Sequence, residues 1–238
     1  MSIAPPPNHV HQQGLPPLEN GDHLNRGEFE RRWHALPMLK KAELIDGVVF
    51  LSAAVRDDVH GEPHGLLMAW LVNYALMTPG VRSADNSSVR MDDENMPQPD
   101  GCLRLPRELG STVTRAIDGY LEGAPDLVVE VSASSASIDL HRKFDVYRAH
   151  GVREYVVWRT VDEAVDWFVL RQGEYQPIPL DAQGWYKSEL FPGLWLNPQV
   201  LLYGFPTAIH AMMYVGMESA EHATFVSRLK QSLDSKNS

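Results

Sequence analysis

Cysteine is nearly absent: Cys102 is the only one in 238 residues, so an internal disulfide is impossible. That makes the cytoplasm the expected compartment. No run approaches the ~20 apolar residues that a membrane helix requires, so no membrane partner is expected. The start, Met1-Ser2-Ile3-Ala4 followed by Pro5-Pro6-Pro7, has neither the basic head nor the apolar stretch of a secretory leader. Positive charge is also short. Lys and Arg number 21 against 31 Asp and Glu, giving a formal net charge of −10. A protein held on nucleic acid by phosphate contacts usually carries a basic surface, so any binding of DNA is expected to be weak or conditional. Basic residues gather only locally, between Arg142 and Arg159, interspersed with acids. There is no internal repeat and no long linker.

Hydrophobic content of 44% and charged content of 22% are those of an ordinary globular chain, long enough to bury one substantial core. Residues 1–24 are rich in proline and polar side chains and read as a mobile arm. Asn25 and Glu28 have capping-box spacing, which predicts a helix from about Arg26 to Ala35. Asp46-Gly47 between two apolar runs predicts a hairpin. Pro63 opens a helix reaching about Met77. Strands are expected over 81–91 and 98–105, then a polar loop over 107–123. Ser134, Ser135 and Ser137 offer caps for a helix over 138–149. Further strands are expected over 154–158, 164–170 and 175–180, with helices over 207–215 and 219–233. The apolar side of the last helix, with Phe225, Val226 and Leu229, makes a homodimer a modest expectation.

The chemistry concentrates around Glu130. Read as a strand, the run Asp126 to Ser132 puts Asp126, Val128, Glu130 and Ser132 on one face and Leu127, Val129 and Val131 on the other. Carboxylates inside so apolar a strand need a compensating cation, either a lysine or a divalent metal. Phosphodiester hydrolysis needs a nucleophilic water, charge stabilisation and help for the leaving oxygen; carboxylates holding Mg²⁺ or Mn²⁺ beside a lysine supply them. Asp100 and Glu130 are the candidate ligands, with the backbone carbonyl of Val131 as a third, and Lys143 would position the water. The plain alternative is a buried salt-bridge network, and Asp139, four residues before Lys143, offers that lysine an ordinary helix-surface partner.

Accessory candidates are Asp126, His64, Glu43 and Asp85. His60 and His64 imitate the histidine pair of a zinc helix, but Gly61 and Pro63 argue against a continuous helix across them. Cys102 and the tryptophans Trp158, Trp167, Trp185 and Trp195 read as packing.

An ordered set of segments is also present: Glu43-Leu44-Ile45-Asp46-Gly47, His64 opening a helix, Gln98-Pro99-Asp100, Ala124-Pro125-Asp126 leading to Glu130-Val131, Lys143 with Tyr147, and Gly151-Val152-Arg153-Glu154-Tyr155. Together these resemble the Uma-two family, a bacterial group of restriction-endonuclease-like proteins with a PD-(D/E)XK nuclease core. The resemblance implies an α/β fold, a mixed β-sheet flanked by helices, over residues 25–200, with residues 201–238 as a C-terminal helical extension. It implies a metal-dependent endonuclease acting on DNA, in which Asp100 and Glu130 match the two acidic elements. The usual pattern places lysine two residues after Glu130; Ser132 stands there, and the resemblance implies that Lys143 fills the vacancy. The rival expectation is an inactive nuclease-fold module that binds nucleic acid or a protein partner.

Overall fold

The computed structural model describes residues 15–51, 56–133 and 141–234. Helix α1 (Arg26–His34) begins as its sequence dictates, the Asn25 side chain accepting the Glu28 N–H. Strands β1 (Ala42–Ile45) and β2 (Val48–Leu51) form the hairpin, with Asp46 and Gly47 at φ of 51° and 71°. A π-helical turn (Asp57–Gly61) runs directly into α2 (Glu62–Met77). Helical backbone therefore spans both His60 and His64, contrary to expectation. Pro63 lies in the first turn of α2, where its missing N–H costs nothing.

The expected 81–91 strand divides into β3 (Arg82–Asp85) and β4 (Val89–Arg90), which join different sheets. After β5 (Gly101–Arg104), the expected polar loop contains β6 (Thr114–Arg115) and β7 (Leu121–Glu122), paired with β4 in a three-stranded sheet. Then come β8 (Leu127–Ser132), α3 (Lys143–Ala149), β9 (Glu154–Arg159), β10 (Ala164–Arg171) and β11 (Glu174–Pro177). The serines expected to cap α3 (Ser134, Ser135 and Ser137) lie outside the described residues. The chain continues through β12 (Tyr186–Lys187), β13 (Trp195–Leu196), α4 (Pro198–Tyr203), α5 (Pro206–Val215) and α6 (Ala220–Asp234).

The main sheet has six strands in the order β11-β10-β9-β8-β5-β3. Only β8 and β9 run parallel, joined through α3; their neighbours are antiparallel, so the sheet is mixed. All six residues of β8 are buried, as a strand covered on both faces requires. Leu127, Val129 and Val131 pack with Leu67, Trp70 and Leu71 of α2. On the other face Val128 packs with Cys102, Tyr147 and Tyr155, beneath α3. Gly101 permits the close approach of α2 to β5: a Cβ there would stand 2.7 Å from Met68 Sδ and 2.9 Å from Val129 Cγ2.

Residues 15–24, expected within the arm, lie against the hairpin: Leu18 is buried, Gly21 N–H donates to Val49 O, and His23 bridges to Val48. At the other end, Phe225 and Leu229 of α6 enter the same core as α2. The apolar side that suggested a homodimer is thus buried on its own chain.

Candidate active site

The C-terminal end of β8 and the N-terminal end of β5 meet at Glu130 and Asp100, each only 2% exposed. Glu130 projects towards α3. Its Oε1 accepts from the Lys143 ammonium at 2.9 Å and from the Tyr147 hydroxyl at 2.8 Å, two residues one helical turn apart. Lys143 is itself buried and lies 2.9 Å from Glu43 Oε1, which also accepts the Gln98 N–H at 2.8 Å. Tyr147 stays a neutral donor: burial, followed by the negative charge of Glu130, pushes its pKa well above the ordinary value. Ser132, where the usual pattern has lysine, is buried on Glu130's face, and its Oγ has no hydrogen-bond partner among the described residues. The ammonium beside Glu130 comes from the following helix.

Asp100 is held from three directions. Its Oδ2 accepts the Val131 N–H at 2.8 Å and lies 3.2 Å from His60 Nε2, while Oδ1 is 3.0 Å from the Lys41 ammonium. Its own N–H points at Glu130 Oε2, 3.4 Å away. Burial opposes ionisation of Asp100, yet the His60 hydrogen bond and the charges on Lys41, His60 and Lys143 outweigh it and keep the carboxyl well below the usual range. Burial likewise opposes the charge on Lys41, and Asp100, Glu130 and Glu43 overcome it, raising its pKa.

His64 and Asp85 form a second ring around this centre. His64 Nε2 is 3.0 Å from Asp85 Oδ1 and 3.2 Å from the Asp100 carbonyl oxygen, and its ring stacks on His60 at 5.8 Å. Asn86 closes the ring, donating to Asp85 Oδ1 at 2.8 Å. Glu43, His64 and Asp85 thus join the cluster, but Asp126 does not. It lies four residues, about 13 Å, back along β8. There it accepts the Leu105 N–H at 2.6 Å and pairs with Arg153. Its carboxylate serves the sheet, a correction to its expected place beside the metal.

Lys41 and Asn86 were not among the expected site residues, and His60 was weighed only as half of a zinc pair. The signal for Lys41 was its i, i+2 spacing to Glu43, which puts both on one side of the chain entering β1. His60 was hidden by the assumption that Gly61 and Pro63 interrupt the helix. Asp139, the alternative partner of Lys143, lies outside the described residues.

Among the described residues no three His, Cys, Asp or Glu side chains converge as metal ligands. A hard, oxygen-seeking cation that retains waters does not need three. The inner cluster sets Asp100, Glu130 and Glu43 against Lys41, Lys143 and the His60 ring. Val131 directs its N–H to the Asp100 side of β8, and its carbonyl faces the same way. Ser132 Oγ and Gln98 Oε1 add buried oxygens that lack partners. The donor set is therefore oxygen-rich and suits magnesium or manganese better than zinc.

A mixed sheet with a buried acid on its central strand, a second acid on the adjacent strand and a lysine from the next helix defines a restriction-endonuclease-like fold. Residues 27–199 match the Uma2 family model, described as "Putative restriction endonuclease", and the chain belongs to this family. It is also similar to the crystal structure of a putative nuclease belonging to DUF820 from Anabaena variabilis ATCC 29413. That likeness has a TM-score of 0.55 at 14% identity and covers 75% of this chain and 97% of the other, so it bears on the fold alone. No curated protein sequence matches the chain.

Proposed function

We propose that this protein is a metal-dependent endonuclease that hydrolyses DNA phosphodiester bonds, using Mg²⁺ or Mn²⁺. The observation that carries the reading is the buried contact of Glu130 with Lys143, beside Asp100, at the end of β8. Asp100, Glu130 and the Val131 carbonyl would hold the cation. The cation supplies Lewis-acid polarisation of the phosphoryl group and offsets its negative charge.

The remaining work falls to the chain's own residues. Lys143, fixed by Glu130 and Glu43, would orient the attacking water and steady charge on the phosphoryl oxygens. Tyr147 holds Glu130 in place through its hydroxyl. His64, Asp85 and Asn86 line the approach to Asp100 as accessory contacts. In the reaction the water oxygen bonds to phosphorus while the bond to one sugar oxygen breaks. The water gives up one proton to solvent, and the departing oxygen takes one from solvent.

The test is incubation of the purified protein with supercoiled plasmid, single-stranded DNA and RNA, with Mg²⁺, Mn²⁺ or EDTA. Metal-dependent cleavage of DNA that is lost in Asp100→Asn, Glu130→Gln and folded Lys143→Ala supports the reading. Cleavage that survives all three variants, or that proceeds in EDTA, refutes it. Metal binding without cleavage would favour the inactive binding module.

A further inference from the structure

At the far end of the same sheet face lies a group of arginines that the nuclease reading does not use. The pairing places Glu154 beside Leu127, Leu127 beside Leu103, and Arg82 beside Arg104. One residue further, the row across β9, β8, β5 and β3 reads Arg153, Asp126, Arg104 and Arg82. Strand alternation puts all four on the side of Cys102, Val128 and Tyr155, the side from which Glu130 projects. Asp126 pairs directly with Arg153 and acts on Arg104 only through its charge. Arg115 of β6 contributes a third guanidinium to Arg104's surroundings: burial first, then the charges of Arg115 and Arg82, lower the pKa of Arg104.

Nine other arginines among the described residues pair with a carboxylate, whereas Arg82, Arg104 and Arg115, like Arg107, Arg142 and Arg228, form no ion pair there. Arg104 Nε is buried with no hydrogen-bond partner among the described residues. In a protein with ten more acids than bases, three neighbouring guanidiniums with no ion pair among the described residues repel one another and leave a donor unsatisfied. An oxyanion removes both costs. Phosphate suits the guanidinium fork, and two of the three side chains stand exposed to receive it.

The geometry points to Arg82, Arg104 and Arg115 as an anchoring site for a backbone phosphate of the nucleic-acid substrate, about 13 Å along the sheet from Glu130. This rests on the nuclease reading for the identity of the ligand. It gives a net-acidic protein a local means of holding a polyanion, with the contact confined to one patch.

The experiment measures binding of a fluorescein-labelled DNA duplex to the full chain in EDTA, where metal and cleavage play no part. Arg82→Gln with Arg115→Gln removes two exposed guanidiniums, with the fold checked by circular dichroism. Arg228→Gln, an exposed arginine stacked on Phe225, is the control. The double variant is expected to bind at least tenfold more weakly. Its slope of log affinity against log salt should be shallower by about 0.9 per lost phosphate contact. Arg228→Gln should match the wild type, and inorganic phosphate should compete with the duplex. Unchanged affinity and slope in the double variant would overturn the site. Binding of inorganic phosphate without binding of the duplex would overturn the nucleic-acid source. Absence of cleavage in the separate assay with Mg²⁺ or Mn²⁺, with this binding in EDTA intact, refutes the nuclease reading and not the anchor.

Discussion

The Lys143 ammonium lies 2.9 Å from Glu130 Oε1 and 2.9 Å from Glu43 Oε1, joining α3, the central strand β8 and the first hairpin at one buried point. Its position explains how a chain with Ser132 after the acidic strand residue still has a lysine beside it. The same contact bears on stability, because each carboxylate is buried and needs the shared cation.

Lys143→Ala should therefore destabilise the fold by about 3–5 kcal/mol, the usual result of stranding a buried charge. Adding Glu43→Gln removes one of the stranded charges and should recover part of the loss in urea unfolding. Simple additivity of the two substitutions would contradict a shared ammonium.

Lys41 stands where it would compete with the proposed cation for Asp100, and its side chain is 24% exposed. Lys41→Met should tighten Mn²⁺ binding severalfold in isothermal titration calorimetry. Unchanged or weaker binding would show that Lys41 does not oppose the cation.

Gly101 sits between Asp100 and the closest approach of α2. Gly101→Ala forces a Cβ against Met68 and Val129 and should cost about 1–3 kcal/mol through overpacking. A thermal midpoint equal to the wild type would contradict so tight a contact.

A second buried acid sets the pH dependence. Glu154, fully buried on β9, accepts from the Ser188 hydroxyl, from the Glu189 and Leu190 amides and from Trp167 Nε1. Burial outweighs these donors and pushes its pKa up to about 7 from 4.5. Between those values the unfolded chain loses the proton while the folded chain keeps it, so stability falls as pH rises and levels off above about 7. The loss amounts to roughly 3 kcal/mol at one pKa unit per 1.36 kcal/mol. Urea unfolding at pH 5, 6, 7 and 8 should show that decline in the wild type and not in Glu154→Gln. An identical slope in both would contradict the assignment.

Much of this arrangement was legible in the residues. Asp46-Gly47 announced the hairpin because a tight turn needs positive φ at both positions. The unbroken apolar run around Glu130 announced a strand covered on both faces, and the position of a lone acid within it announced a partner. The parts that were missed depend on contacts distant in sequence. The two-residue strands β4, β6 and β7 exist only through one another's hydrogen bonds, so no local pattern betrays them in the stretches from 81 to 91 and from 107 to 123. His60 reaches Asp100 because a π-helical turn carries it there, against the usual reading of Gly61 and Pro63. Asp126 shares Glu130's face, and alternation alone could not say that Arg153 and the Leu105 amide would claim it first. The arginine row needs the register of four strands before it can be seen.

The most direct test of the account is Mn²⁺ binding to the wild type, Asp100→Asn and Glu130→Gln by isothermal titration calorimetry, each variant first shown to be folded. The account predicts saturable binding in the wild type, weakened at least tenfold by either substitution. No binding by the wild type, or equal binding by all three proteins, would contradict it.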